Sequence, residues 1–216
     1  MGRRSSHTPD ELRELILEAA TELIEQAGLT GLSAREIARK IGYSPGTLYN
    51  VFADIDDLVL TIEYRLLDRL SLRLTDVPHT SDPVQHICNL AEAYFAFTQE
   101  RPRLWNLLFE HYMPTGWKVP QLFQARMEAL LGVVETALQP VVASADPARA
   151  HRAARVLWAS VHGIASLATA DKLTNVTQEN AGLLVEDVVR TYIAGLQAEL
   201  RIAVPSKKAT PDKKRR

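Results

Sequence analysis

Three sets of residues in this chain have types and spacings that could do chemistry or recognition. Gly42-Tyr43-Ser44-Pro45-Gly46 fits G-x-S-x-G, the pattern that presents a nucleophilic serine on a strand-to-helix turn in hydrolases. Six histidines (His7, His79, His86, His111, His151, His162) and Cys88 offer metal ligands. A run of small and polar residues, Ser44 to Asn50, offers hydroxyls and an amide with little bulk. The first option fails twice. A helix, not a strand, precedes Ser44, and Pro45 lacks the N–H that an oxyanion hole needs from the residue after the nucleophile. The second fails on spacing. No two histidines stand at H-x3-H, and one cysteine cannot build a structural zinc site. Neither a catalytic residue nor a metal is expected, and no cofactor. The third set survives.

Two short helices must position it. Ser33 is a good N-cap and Glu36 follows three residues on, so a capping box is expected. Ile37, Ala38 and Ile41 then share a face. Gly42 suits a chain leaving a helix with φ > 0. Ser44 can cap a second helix and Pro45 suits its first turn. That helix is expected to reach Phe52, with Leu48 and Phe52 on one side and Gly46, Thr47, Tyr49 and Asn50 mostly on the other. Ala38 permits a close crossing, Gly42 makes the turn and Leu48 locks the second helix onto the first. This is the logic of the helix-turn-helix, whose second helix enters a DNA major groove.

The residues Ala27-Gly28, Ser33, Glu36-Ile37-Ala38, Gly42, Gly46-Thr47-Leu48-Tyr49, Phe52 and Leu58 occur in an order that closely resembles the DNA-binding region of the TetR (tetracycline repressor) family of bacterial regulators. The resemblance covers Thr8 to about Arg65. It implies that Ser33 and Tyr49 touch phosphates and that Ser44, Pro45, Gly46, Thr47 and Asn50 approach bases. Family members usually carry Lys where this chain has Ile55. Without that phosphate contact, affinity should lean on Arg35, Arg39 and Lys40.

Composition agrees with a helical body. Leu, Ala, Glu and Arg dominate, and β-branched runs of period two are absent. The hydrophobic fraction of 46% over 216 residues is ordinary for a globular chain. The single Cys88 can make no internal disulfide. The start is polar, and no apolar run approaches the roughly 20 residues that span a bilayer. A cytoplasmic protein with no membrane partner is expected. The net charge of −1 hides a locally basic head: Arg35, Arg39 and Lys40 stand against Glu36.

The expected architecture is all-α with about nine helices: an N-terminal three-helix helix-turn-helix DNA-binding domain and a C-terminal helical domain for ligand binding and dimerisation. Residues 1–7 read as a disordered arm bearing Arg3 and Arg4. Residues 8–53 form the DNA-binding domain, although the family region extends to about 70. Residues 54–204 form the effector-binding and dimerisation domain, and 205–216 a basic disordered tail that could add phosphate contacts. Leu12, Leu15, Ile16, Ala19, Leu23 and Ile24 stripe a supporting first helix. Leu58, Ile62, Leu66 and Leu70 stripe the fourth. Further helices open at Pro83, Pro102, about Val119–Pro120, Pro147 and Thr177.

The last two, about 147–170 and 178–204, are apolar around much of their circumference. That surplus suggests a second buried face and hence a homodimer. Small residues Ala159, Ser160, Gly163, Ala165 and Ala168 would let these helices approach closely. Trp158-Ala-Ser-Val-His162-Gly163 resembles a Trp-x3-His-Gly element of one TetR subgroup. The aromatics Trp105, Phe109, Tyr112, Trp117 and Phe123 with Met127 could wall an effector pocket carrying Tyr94, His111, Gln124 or His162 as polar groups. Ordinary core packing explains the same spacing. These features point to a sequence-specific DNA-binding regulator, a repressor released from a pseudo-palindromic operator by an unknown small, largely apolar effector. An activator or a ligand-independent regulator of the same architecture is the alternative. An enzyme using the aromatic cavity would need an acid–base constellation that the sequence does not offer.

Overall fold

Nine α-helices and no strand form the described residues. The structure, a computed structural model, describes residues 7–112, 118–142 and 147–203. Arg3, Arg4, Trp117, Asp146 and the basic tail from Pro205 lie outside them. Helix α1 (Pro9–Ala27) begins at a full capping box: Glu11 N–H donates to Thr8 Oγ1 at 3.3 Å, and Thr8 N–H donates to Glu11 Oε2 at 2.7 Å. Helices α2 (Ala34–Ile41) and α3 (Pro45–Leu48) make the helix-turn-helix. The long α4 (Ile55–Thr75) starts at Asp54, whose side chain accepts from Asp57 N–H.

The body comprises α5 (Pro83–Glu100), α6 (Pro102–Glu110), α7 (Gln121–Val142), α8 (Pro147–Thr169) and α9 (Ala181–Ala203). Three of these start on prolines, where the missing N–H has no intrahelical partner to lose. Helix α7 packs on α8, α4 and α5, and α9 on α5 and α8. The apolar residues form one continuous cluster from Leu12 to Leu196, with α4 contributing Leu58, Val59, Ile62, Leu66, Leu67, Leu70 and Leu74.

Several boundaries differ from the sequence expectation. The capping box at Ser33 is only half formed. Glu36 N–H donates to Ser33 Oγ at 3.2 Å, but the Glu36 carboxylate turns to Arg39. Helix α3 ends at Leu48 rather than Phe52. The chain continues as a turn, with Asn50 and Val51 N–H bonding three residues back. Asn50 and β-branched Val51 are weak helix formers. Helix α9 begins at Ala181, not after Thr177. Thr177 Oγ1 caps a local turn through Glu179 N–H, and Asn180 Oδ1 accepts from Gly182 N–H. On α8, Ala165 is fully buried in the subunit's own core, so it does not belong to a second face.

Polar contacts near both ends of α6 tie it to α1 and α4. Arg103 on α6 donates to the terminal carbonyls of α1, Glu25 O and Gln26 O. Helix α1 has no basic residue in its own last turn, so α6 supplies the cation that its C-terminal dipole favours. His111, just past α6, bonds two carboxylates of α4: Nδ1 to Glu63 at 3.0 Å and Nε2 to Asp56 at 3.3 Å. Glu63 is 3% exposed. The Glu63 hydrogen bond, outweighing desolvation, raises the His111 pKa above its ordinary value.

The turn at Gly42 has φ 75° and ψ 28°, the left-handed region. Gly42→Ala should lower stability by about 1–2 kcal/mol through backbone strain alone, since an added Cβ meets nothing within 4 Å; an unchanged thermal midpoint would refute this. The His111 cluster carries a pH signature. A raised native pKa means that the folded state holds the proton more tightly than the unfolded chain. Its stabilisation is therefore full below about pH 6.5 and lost as pH rises through the native value. Thermal melts of the parent and His111→Gln should differ most near pH 6 and converge at higher pH; a gap independent of pH would contradict the assignment.

Candidate functional site

The head is built so that its apolar residues face inward and its small polar residues face out. Ile37, Ala38, Leu48 and Phe52 are buried. Arg13 of α1 lies over the Phe52 ring at 4.4 Å and donates to Val51 O at 3.4 Å, so α1 holds the loop that follows α3. With that side anchored, Ser44, Pro45, Gly46, Tyr49 and Asn50 are exposed and Thr47 is half-buried. Tyr49 is 54% exposed. Ser44 does not cap α3 with its side chain; its hydroxyl pairs with Thr47 Oγ1 at 3.0 Å. Ser33 is half-buried at the N-terminus of α2, and its hydroxyl oxygen accepts from Glu36 N–H. The hydroxyl hydrogen remains available to a phosphate.

The basic residues are not equivalent. Arg39 is held by Glu36, and Lys40 pairs with Glu22 at 2.7 Å. Arg35 is exposed and has no ion-pair partner among the described residues. Exposed ion pairs are worth little, so Arg39 and Lys40 can be exchanged onto phosphates, but only Arg35 starts unengaged. Ile55 sits half-buried against the core at the first position of α4, where it serves packing. Around Ser44 the chain is helix, left-handed turn and helix. That arrangement is a turn between two helices, not an elbow leaving a strand.

In the body, the expected effector residues separate. Tyr94 and Trp105 are buried, and their rings meet edge-on at 5.5 Å. Phe109 packs on both Trp105 and His162. Tyr94 OH and His162 Nδ1 share a hydrogen bond of 2.9 Å. Burial raises the Tyr94 phenol far above its ordinary pKa and lowers that of His162, so both groups are neutral near pH 7. Trp158 stacks on His162 at 5.1 Å with an interplanar angle of 6°. The Trp-x3-His spacing is thus an i, i+4 ring stack on α8.

Both ring nitrogens of His111 are engaged by α4 carboxylates, so neither is left for an effector in this arrangement. Tyr112 is 86% exposed and Gln124 is exposed, so neither lines an enclosed site. Phe123 and Met127 are half-buried packing residues. The cavity beside Tyr94 is lined by Leu74, Leu90, Leu130, Leu157 and Trp158, and it is almost wholly apolar. Its volume is only about 30 Å³, room for about one water, so an effector must widen it. Helical periodicity can mark aliphatics as core residues but does not show that they border a void.

The comparisons agree with this geometry. Residues 16–62 match the model of the tetR family of bacterial regulatory proteins, and residues 87–192 match the tetracyclin repressor-like C-terminal domain. The HTH-type transcriptional regulator Rv0681 of Mycobacterium tuberculosis is 24% identical over 188 residues, spanning 86% of this chain and 81% of that protein. The HTH-type transcriptional activator FasR of Mycolicibacterium smegmatis is 29% identical over 134 residues, 61% of each chain. FadR of Bacillus subtilis, solved in complex with stearoyl-CoA, superposes with a TM-score of 0.62 at 15% identity, covering 84% of this chain and 98% of that one. Regulators of this kind bind DNA and dimerise. Among the described residues no helix is long and apolar enough to cross a membrane. With a helix-turn-helix at one end and the matching regulatory domain at the other, the chain belongs to the TetR family and is a transcriptional regulator.

Proposed function

We propose that this regulator is a cytoplasmic repressor whose dimer grips a pseudo-palindromic operator and lets go when a small, largely apolar effector binds. Residues 8–53 act as the reading head and 54–204 as the sensing and pairing unit. Ser44, Pro45, Gly46, Thr47 and Asn50 approach base edges, while Ser33, Arg35 and Tyr49 hold phosphates. The observation that carries this reading is the exposed small-polar edge of α3, with unengaged Arg35 beside it and Leu48 and Phe52 buried behind it.

Dimerisation through α8 and α9 is supported by apolar side chains left uncovered on them, including exposed Val156, Leu167 and Leu183 and half-buried Ile164, Leu184 and Val188. A two-fold pair of heads suits half-sites about 34–36 Å apart. An effector entering near Tyr94 and Trp158 would separate α5 and α8 and push on Leu74 of α4. Because α4 and the Arg103 cap on α1 both reach the head, such a shift alters the spacing of the pair. Release then requires that the effector favour the shifted state, not merely bind tightly. The stearoyl-CoA in FadR supports a sensing site for a ligand with a long apolar chain in this architecture. The activator name of FasR supports a second reading, in which the same head recruits transcription. Deleting the gene decides between them: its target transcripts rise for a repressor and fall for an activator.

Tyr49→Phe should weaken binding to all operator variants alike, by about 1 kcal/mol, because a phosphate contact positions without specifying. Loss confined to certain operators would reassign Tyr49 to base contact. Thr47→Ala or Asn50→Ala should instead relax preference at one or two positions, by about 1–3 kcal/mol. Selection from a random DNA pool reads this directly, and an unaltered consensus would sink the base-contact role.

A further inference from the structure

Next to the narrow crevice lies a groove of about 810 Å³ between the end of α4, the α4–α5 loop, the first turns of α5 and the middle of α7. That volume is within the range of small-ligand sites, about 300–1,000 Å³. The groove and the crevice share Leu74 and Leu90, so a ligand parting these two side chains passes from one into the other. The groove walls are largely aliphatic, with Val77, Val133 and Pro140 among them.

The polar groups of the groove are not alike. Thr75, Thr80 and Thr136 each donate a hydroxyl hydrogen to a backbone carbonyl, of Ser71, Asp82 and Gly132, at 2.7–2.8 Å. They keep only lone pairs to offer. His86 is 8% exposed, and its Nδ1 is buried without a hydrogen-bond partner. A buried polar atom left unpaired is costly, and few are found in native folds. The exposed His79 ring covers His86 at a centroid distance of 4.4 Å. Movement of His79 uncovers His86 Nδ1, a buried polar atom of the groove with no hydrogen-bond partner.

Charge narrows the ligand. No lysine or arginine lines the groove. The Asp82 carboxylate, accepting from Val84 and Gln85 N–H, stands four residues before His86. An anionic head would meet no cation among the residues that line the groove. A neutral carbonyl oxygen can accept from an imidazole N–H without that penalty. Resting on the effector reading above, we propose that this groove holds the head of a neutral acyl ester or thioester. Its carbonyl accepts from His86 Nδ1–H, and its alkyl chain runs between Leu74 and Leu90 into the crevice beside Tyr94 and Trp158. His86 and Tyr94 are eight residues apart on α5, about 12 Å along the helix axis, so a medium or long chain is required.

Calorimetric titration of the full-length, DNA-free protein with the N-acetylcysteamine thioester of dodecanoic acid, and separately with dodecanoate, tests this. The thioester should bind at least about tenfold more tightly than the carboxylate. His86→Phe, which keeps the ring stack, should weaken the thioester about tenfold, as expected for one buried hydrogen bond. Gly132→Phe should abolish binding by filling the groove; an added Cβ there meets nothing within 4 Å, and an unchanged thermal melt shows that the variant is folded. No binding to the parent protein, equal binding of dodecanoate, or unchanged affinity in either variant overturns the proposal. Because no DNA is present, failure of operator recognition would leave these results standing, and the reverse.

Discussion

The apolar seam along α4 is the constraint on which the rest of the molecule depends. Leu58 and Val59 at its start pack with the head, Leu66 and Leu70 carry the seam onward, and Leu74 at its end borders the crevice. One continuous core therefore underlies both the helix-turn-helix and the crevice beside Tyr94. Close-packed interiors transmit displacement rather than absorb it, so the two ends of α4 cannot move independently. The core runs without a break across residue 54, where the sequence reading divides a head from a body.

Polar contacts fix the angle between these two parts. Arg103 places a guanidinium at the end of α1, and His111 ties the end of α6 to Asp56 and buried Glu63 on α4. A buried charged pair is weak evidence for stability but defines one arrangement, because breaking it strands a charge. Helix α6 is thus braced against both α1 and α4, while its own aromatics, Trp105 and Phe109, pack against Tyr94 and His162. The same short helix touches the support of the reading head and the ring cluster beside the cavity.

The proposed reading surface is small and asymmetric in its resources. Hydroxyls, an amide and glycine carry it, while two of the three nearby cations are already engaged within the chain. Such a head gains less from counterion release than a strongly basic one, and more from close fit of α3 in the groove. Ile55 adds to this balance by serving the core at the start of α4.

Local signals were legible in the sequence. Capping residues, prolines at first turns, Gly42 and the helical spacing of Leu48 and Phe52 determined the all-helical fold and the side of α3 that faces out. They act within a few residues, where backbone sterics and hydrogen bonding decide. Where signals competed locally, as at Ser33 with Glu36 and Arg39, or at Thr177 with Asn180, the sequence named the residues but not the winner. The surroundings of His111, Tyr112 and His86 are set only by the tertiary structure. His111 and His86 each sit on or beside an apolar helix, and nothing in their spacing separates them. One meets two carboxylates of α4, 48 and 55 residues earlier in the chain, and the other hydrogen-bonds to none. Burial and long-range pairing depend on which helices pack together, and a sequence pattern fixes a face without fixing what lies across from it.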